Sequence, residues 1–224
     1  MKLVITCEHG GNKIPLAYSS LFEQKKTLLD AHQGWDLGIL EVFEFVKLEA
    51  DYYKSSSISR LLIEKNRSLH HPNLFSEITK PLTVSAKQKI IEKYYLPYRN
   101  EIEQQIHNFV SKGEEVLHIS LHSFTPILNG QKRNADLGFL YDPKRTSELY
   151  WVKKMIDQLK NHTNLKIRRN YPYLGTSDGF TTYLRKQFPE NYSGIEIEIN
   201  QGLLINNEFP LPIQKRLKSM IQKL

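Results

Sequence analysis

Ile5-Thr6-Cys7-Glu8-His9-Gly10-Gly11-Asn12-Lys13-Ile14-Pro15 is the stretch whose reading decides the fold. It continues an apolar run, Leu3-Val4-Ile5, and stops it abruptly at two glycines. Such a run reads as a buried strand over residues 2–7. Glu8, His9 and Asn12 stand around the break, and each carries a lone-pair donor. A strand ending in a glycine turn puts its imidazole at the carboxyl edge of a sheet, where open α/β folds bind ligands. The two glycines are expected to bring the backbone close to such a ligand. A tight turn with a merely hydrogen-bonded His9 fits this stretch equally well.

Outward from there, strands and helices alternate. A helix is predicted over residues 37–48 with Asp36 as its N-cap, a role that fits Asp36 slightly better than facing a site. A short strand follows over 52–59. Residues 60–84 are polar, Pro-containing and irregular, a loop long enough to carry function. Residues 85–112 read as one long helix, kinked at Pro97, which lacks an amide donor and clashes with the turn before it. Strands are expected over 116–122, 136–141, 165–169 and 194–199. Helices are expected over 147–159, from Asp178 through Phe188, and over 210–224. No repeat or linker interrupts the pattern, so residues 1–224 read as one α/β domain: a mostly parallel mixed sheet with helices on both faces.

Composition narrows the function. The chain has 224 residues and 40% hydrophobic content, enough for a substantial core. No apolar run reaches the roughly 20 residues of a membrane helix, so no membrane partner is expected. The N-terminus lacks signal-peptide features, and Cys7 is the only cysteine; both fit the cytoplasm. The net charge is +7, but the basic residues are spread along helix-like segments without interleaved aromatics. That argues against nucleic acid and for a general attraction toward small anions. A monomer or small homo-oligomer is the expected assembly.

His118 and His122 lie four apart on one strand and so share a face, with His122 at its carboxyl end like His9. His118 reads as the buried, hydrogen-bonded member. His9 and His122 on neighbouring strands are placed to share a zinc ion, whose hydrolytic sites use three protein ligands and a water. Glu196 and Glu198 alternate with isoleucines and project from one sheet face; an acid there suits a general base for hydrolysis. Arg60 and Arg67 bracket Leu61-Leu62-Ile63 and suit a substrate carboxylate or an oxyanion. Ser123 beside His122, and Thr176 and Ser177 before a helix start, are hydroxyl candidates for substrate binding. His70, His71, His107 and His162 read as ordinary surface histidines.

Taken together, these stretches resemble the N-formylglutamate amidohydrolase family. The resemblance rests on residues 6–15, Trp35-Asp36-Leu37-Gly38, Ser59-Arg60-Leu61 with Asn66-Arg67-Ser68, and His122-Ser123-Phe124-Thr125-Pro126. It continues in Asp136-Leu137-Gly138 with Tyr141-Asp142, Asn170-Tyr171-Pro172-Tyr173 with Thr176-Ser177-Asp178-Gly179, and residues 196–201. That family is similar to zinc carboxypeptidases and aspartoacylase-like deacylases. The resemblance implies a phosphorylase/hydrolase-like, zinc-carboxypeptidase-like fold, a zinc cofactor and a small anionic N-acyl amino acid substrate. It makes His9 and His122 metal ligands, Asn66 and Arg67 the carboxylate pair, Arg60 the oxyanion group, and Glu198, with Glu196 as alternative, the base. The family pattern has Glu three positions after the first histidine; here Asn12 stands there. Asn12 is then a weaker ligand, and the third place is open to Glu8, Asp36 or water.

Overall fold

The computed structural model describes residues 1–160 and 165–224; His162 lies outside them. The opening stretch forms β1 (Lys2–Cys7), buried from Leu3 onward. The other strands are β2 (Tyr52–Ser55), β3 (Val116–Phe124), β4 (Ile127–Leu128), β5 (Gln131–Lys132), β6 (Leu137–Leu140), β7 (Ile167–Arg169) and β8 (Tyr192–Asn200). Among the described residues, six of them form one sheet in the order β2-β1-β3-β8-β6-β7, and β4-β5 is a separate hairpin. β2, β1, β3 and β8 run parallel, β6 is antiparallel to β8, and β7 is parallel to β6. The sheet is therefore mostly parallel and mixed, as the alternation of elements predicts.

The helices are α1 (Lys26–Asp30), α2 (Ile39–Val46), α3 (Val84–Ile90), α4 (Leu96–Val110), α5 (Thr146–Lys160), α6 (Phe180–Gln187) and α7 (Leu211–Ile221). Strand periodicity sorts the two sheet faces. Leu3, Ile5, Cys7, Leu117, Ile119, Leu121, Ile195, Ile197 and Ile199 make one face apolar, and α2, α5 and α7 pack on it. Each fully buried isoleucine there contributes about 1.5–3 kcal/mol by leaving water. The opposite face is apolar only toward its amino end, where Val4, Val116 and Tyr192 meet residues of α4 and α6. Toward the carboxyl end it carries Thr6, Glu8, Ser120, His122, Glu196 and Glu198, all buried. Polar groups in that position destabilise the fold unless they are paired, and most of them are paired with one another.

Several expectations change. α2 begins at Ile39 with Gly38 as N-cap, in left-handed backbone, and no side chain caps it. Asp36 is turned away from the helix. The long helix starts at Val84, where the Thr83 hydroxyl accepts the Ala86 amide. The kink expected at Pro97 appears as a π-helical turn over Ile91–Tyr95, just before Pro97 enters the first turn of α4. A wide turn relieves the clash of the proline ring with the preceding carbonyls. Residues 60–84 lack strand or helix until Val84, yet Leu61, Leu62, Ile63, Leu74 and Phe75 form a third apolar cluster with Phe22, Ile90 and Tyr95. Gly10 and Gly11 lie close against the backbone of Ser56 and Ser57. A Cβ on Gly11 would lie 2.7 Å from the Ser57 carbonyl oxygen and 2.8 Å from its Cα. The hairpin β4-β5 was not expected from the sequence, although Asn129-Gly130 at its tip, both at positive φ, is the signature of a type I′ turn. Among the described residues, no helix is long and apolar enough to cross a membrane.

Candidate active site

Three parallel strands end together. His9 stands two residues past β1, His122 two before the end of β3, and Glu198 two before the end of β8. Register sets His122 beside Glu198 and Ser120 beside Glu196. The rings of His9 and His122 lie 5.0 Å apart, centroid to centroid.

Asp36 stands between them. Its Oδ2 is 2.9 Å from Nδ1 of His122 and 3.4 Å from Nδ1 of His9. The Asp36 amide donates to the His9 carbonyl at 3.0 Å, and the Ser123 amide donates to Oδ2 at 3.2 Å. Donor atoms of His9, Asp36 and His122 all lie within 4.8 Å of one another. Ligand atoms held about 2.0–2.2 Å from one tetrahedral zinc stand roughly 3.3–3.5 Å apart, so this set is of the right size and chemistry for the ion. Asn12 takes no part: its amide donates to the Leu29 carbonyl and to Asp30 Oδ1, at 3.1 and 3.0 Å. Asp36, 27 residues further along the chain than His9, is the third residue of the group that could hold an ion.

The far nitrogen of each ring is held as well. Nε2 of His9 meets Oε1 of Glu64. Nε2 of His122 lies 3.2 Å from Glu8 Oε2 and 2.9 Å from the Ser120 hydroxyl. Carboxylates behind ligating histidines fix the tautomer and raise the basicity of the nitrogen facing the metal. Glu8 thus stands behind His122, on the side away from Asp36, where Tyr98 also donates to it at 3.1 Å. Burial opposes ionisation of Glu8, but hydrogen bonds from His122 and Ser120 outweigh it and hold its pKa well below the carboxylate range. Burial likewise opposes charge on His122, and Asp36 and Glu8 raise its pKa regardless.

Arg60 lies outside this layer. Its Nε donates to Glu64 Oε2 at 2.7 Å and its Nη1 to Asp36 Oδ1 at 3.1 Å. Two carboxylates thus engage the fork expected at an oxyanion, and Arg60 locks Glu64 and Asp36 in place. His118 is the buried member its strand position suggested. The Thr6 and Tyr192 hydroxyls each lie 2.8 Å from its ring, and burial pushes its pKa down to about 4.

The cluster opens into a cavity of about 160 Å³, walled also by Asn66, Arg67, Ser123, Ser177, Glu196 and Glu198. A wider groove of about 380 Å³ between α5 and α7 carries none of these groups. Glu198 is 5% exposed, and its Oε2 has no hydrogen-bond partner among the described residues. Burial raises its pKa to about 7; His122 and Arg60 pull the other way, while Asp36 and Glu196 reinforce the rise. Glu196 differs in that its Oε1 accepts from Thr181 at 2.7 Å. Asn66 lies beside His122, and its Oδ1 accepts the Phe180 amide at 2.7 Å. The amide at the start of α6 is therefore occupied by Asn66 and not free for an anion. Arg67 donates to the Asp178 carbonyl, and Asp178 accepts the Ser68 amide at 3.0 Å instead of capping α6. The Ser123 hydroxyl donates to the Leu37 carbonyl at 2.8 Å, which leaves its amide as the group that reaches the cluster. Thr176 is exposed and outside the cavity wall. Glu64 and Ser120 carry roles that the sequence did not assign; an acid next to Leu61-Leu62-Ile63, four residues after Arg60, was the available signal for Glu64.

The N-formylglutamate amidohydrolase family profile matches residues 1–205. The chain belongs to this family. Members of the N-formylglutamate amidohydrolase family are hydrolases. Among solved structures, a gene product of Agrobacterium tumefaciens superposes with a TM-score of 0.83 at 24% identity, covering 99% of this chain and 89% of that one. The N-formylglutamate amidohydrolase of Ralstonia eutropha gives 0.75 at 19% identity, covering 100% and 92%. At these identities the likeness is one of fold. No curated protein matches the sequence.

Proposed function

We propose that the protein is a metal-dependent amidohydrolase that cleaves the amide bond of a small anionic N-acyl amino acid such as N-formyl-L-glutamate. One observation carries the reading: Asp36 Oδ2 faces Nδ1 of both His9 and His122, while Glu64 and Glu8 back their Nε2 atoms. His9, Asp36 and His122 would hold the metal, zinc by the chemistry of the donor set. When bound, zinc supplies a Lewis acid that lowers the pKa of water and polarises a carbonyl.

The chain's own side chains do the remainder. Glu198, poised near neutrality with a free Oε2, takes a proton from the attacking water and returns it to the leaving nitrogen. Asn66 and Arg67, which line the cavity, hold the substrate carboxylate. Arg60 acts through Glu64 and Asp36 by fixing the ring and carboxylate orientations. Ser177 lines the same cavity and contributes a hydroxyl there.

The alternative reading is a non-catalytic binding module for a carboxylated metabolite or acidic partner on the same scaffold, and Asn12 in place of the family's Glu is its motive. Asp36, close to both imidazoles, supplies the carboxylate that Asn12 lacks, which supports the hydrolase reading over this one. The test is hydrolysis of N-formyl-L-glutamate with and without chelator, in wild type and Glu198→Gln. The expected result is chelator-sensitive turnover that falls by about 10²–10⁴-fold in the variant. Turnover that survives both perturbations overturns the proposal.

A further inference from the structure

The cavity has little cationic capacity left once its internal bonds are counted. Arg60 is engaged by Glu64 and Asp36, so Arg67, beside Asn66, is the guanidinium left to meet a substrate carboxylate. A further cation stands against Tyr173, a residue of the cavity wall. Arg133 follows the hairpin β4-β5, and its amide donates to the Pro126 carbonyl at 2.8 Å. The Asn134 amide donates to the Tyr171 hydroxyl at 2.9 Å, and Asn200 Nδ2 donates to the Ala135 carbonyl at 2.6 Å. Asn200 ends β8, two residues beyond Glu198. These anchors hold the Arg133 segment at the sheet edge that carries His122 and Glu198.

The side chain is held as firmly. Its guanidinium lies 5.0 Å from the centre of the Tyr173 ring and donates through Nη1 to the Tyr173 hydroxyl at 3.1 Å. Tyr173 is itself a wall of the cavity. Among the described residues, the hydrogen-bond partners of the Arg133 side chain are two neutral hydroxyls, of Tyr173 and Thr125. Burial, then Arg60 and Arg133, hold His32 below the ordinary histidine range. An arginine pre-oriented on an aromatic ring loses little freedom on binding a carboxylate and keeps hydrogens for a bidentate pair.

We propose that Arg133, seated on Tyr173, is a specificity residue that receives a second carboxylate of the substrate. The site then prefers N-acyl dicarboxylic amino acids over those with a neutral side chain. The inference rests on the reading of the cavity as a site for N-acyl amino acids, and its test separates the two.

Binding of N-formyl-L-glutamate and N-formyl-L-glutamine is measured by calorimetry in zinc-supplemented Glu198→Gln protein, which keeps the amide intact. The same pair is measured with Arg133→Met or Arg133→Lys added, and turnover of both compounds is followed with Glu198 in place. The glutamate compound should bind about tenfold to a hundredfold more tightly, as a charge-assisted contact allows. Arg133→Met should erase that ratio and leave the glutamine compound unaffected, and Arg133→Lys should retain part of it. A ratio that survives Arg133→Met, no preference at the start, equal loss of both ligands, or binding of neither overturns the inference. An Arg133-dependent ratio without turnover of either compound sustains the inference and overturns the proposed hydrolysis. Turnover of both with equal efficiency does the reverse.

Discussion

Glu198→Gln should stabilise the metal-free protein at alkaline pH and leave it unchanged in acid. Glu198 is 5% exposed, its Oε2 lacks a partner, and its pKa rises from 4.5 to about 7, with burial as the leading cause. An acid whose pKa is raised on folding costs nothing below its unfolded value, where both states are protonated. The cost grows as pH rises through the window and is complete above the folded value. At about 1.4 kcal/mol per pKa unit, the gap amounts to roughly 3 kcal/mol above pH 7. Glutamine resembles the protonated acid and cannot ionise, so it escapes this cost. Urea unfolding of both proteins in chelator at pH 4.5 and pH 8 measures the difference; chelator is needed because a cation beside the carboxylate lowers its pKa. The expected gain is near zero at the lower pH and about 3 kcal/mol at the higher. An equal difference at both pH values, or a less stable variant at pH 8, refutes the reasoning.

Two further outcomes follow from the same geometry. Gly11→Ala places a methyl group 2.7–2.8 Å from the Ser57 backbone, and urea unfolding should show a loss of about 1–3 kcal/mol from overpacking. Glu64→Gln removes the carboxylate behind His9, and competition with a chromogenic chelator should show zinc affinity weaker by about 10–100-fold with the fold intact.

The sheet was legible because its strands carry one apolar and one polar face. Gly194-Ile195-Glu196-Ile197-Glu198-Ile199 announces both the buried layer and the acids opposite it. His9 and His122 could be placed together because each sits at a strand's carboxyl end, a position that strand period and a following turn reveal. The role of Asp36 was harder to see, since an acid just before a helix has the same signature whether it caps the helix or turns away from it. Tertiary bonds from His122, Ser123 and Arg60 decide between the two. Asn12 stands at the glycine break and at the position where the family pattern has Glu, but its amide points to Leu29 and Asp30 instead. For Glu64 the sequence offers only its spacing from Arg60, because the segment that holds it has no period and is fixed by a satellite core of residues distant in sequence. The hairpin before Arg133 was missed although its Asn129-Gly130 turn was readable, because its strands of two residues carry no alternation.

The account turns on Asp36 completing a metal centre with His9 and His122. Zinc content after exhaustive dialysis tests this most directly, in wild type, Asn12→Ala and Asp36→Ala. The expected result is about one zinc per chain in wild type and Asn12→Ala, and almost none in Asp36→Ala, as a site losing one of three protein ligands should show. Zinc retained in Asp36→Ala but lost in Asn12→Ala, or no zinc bound by the wild type, would contradict it.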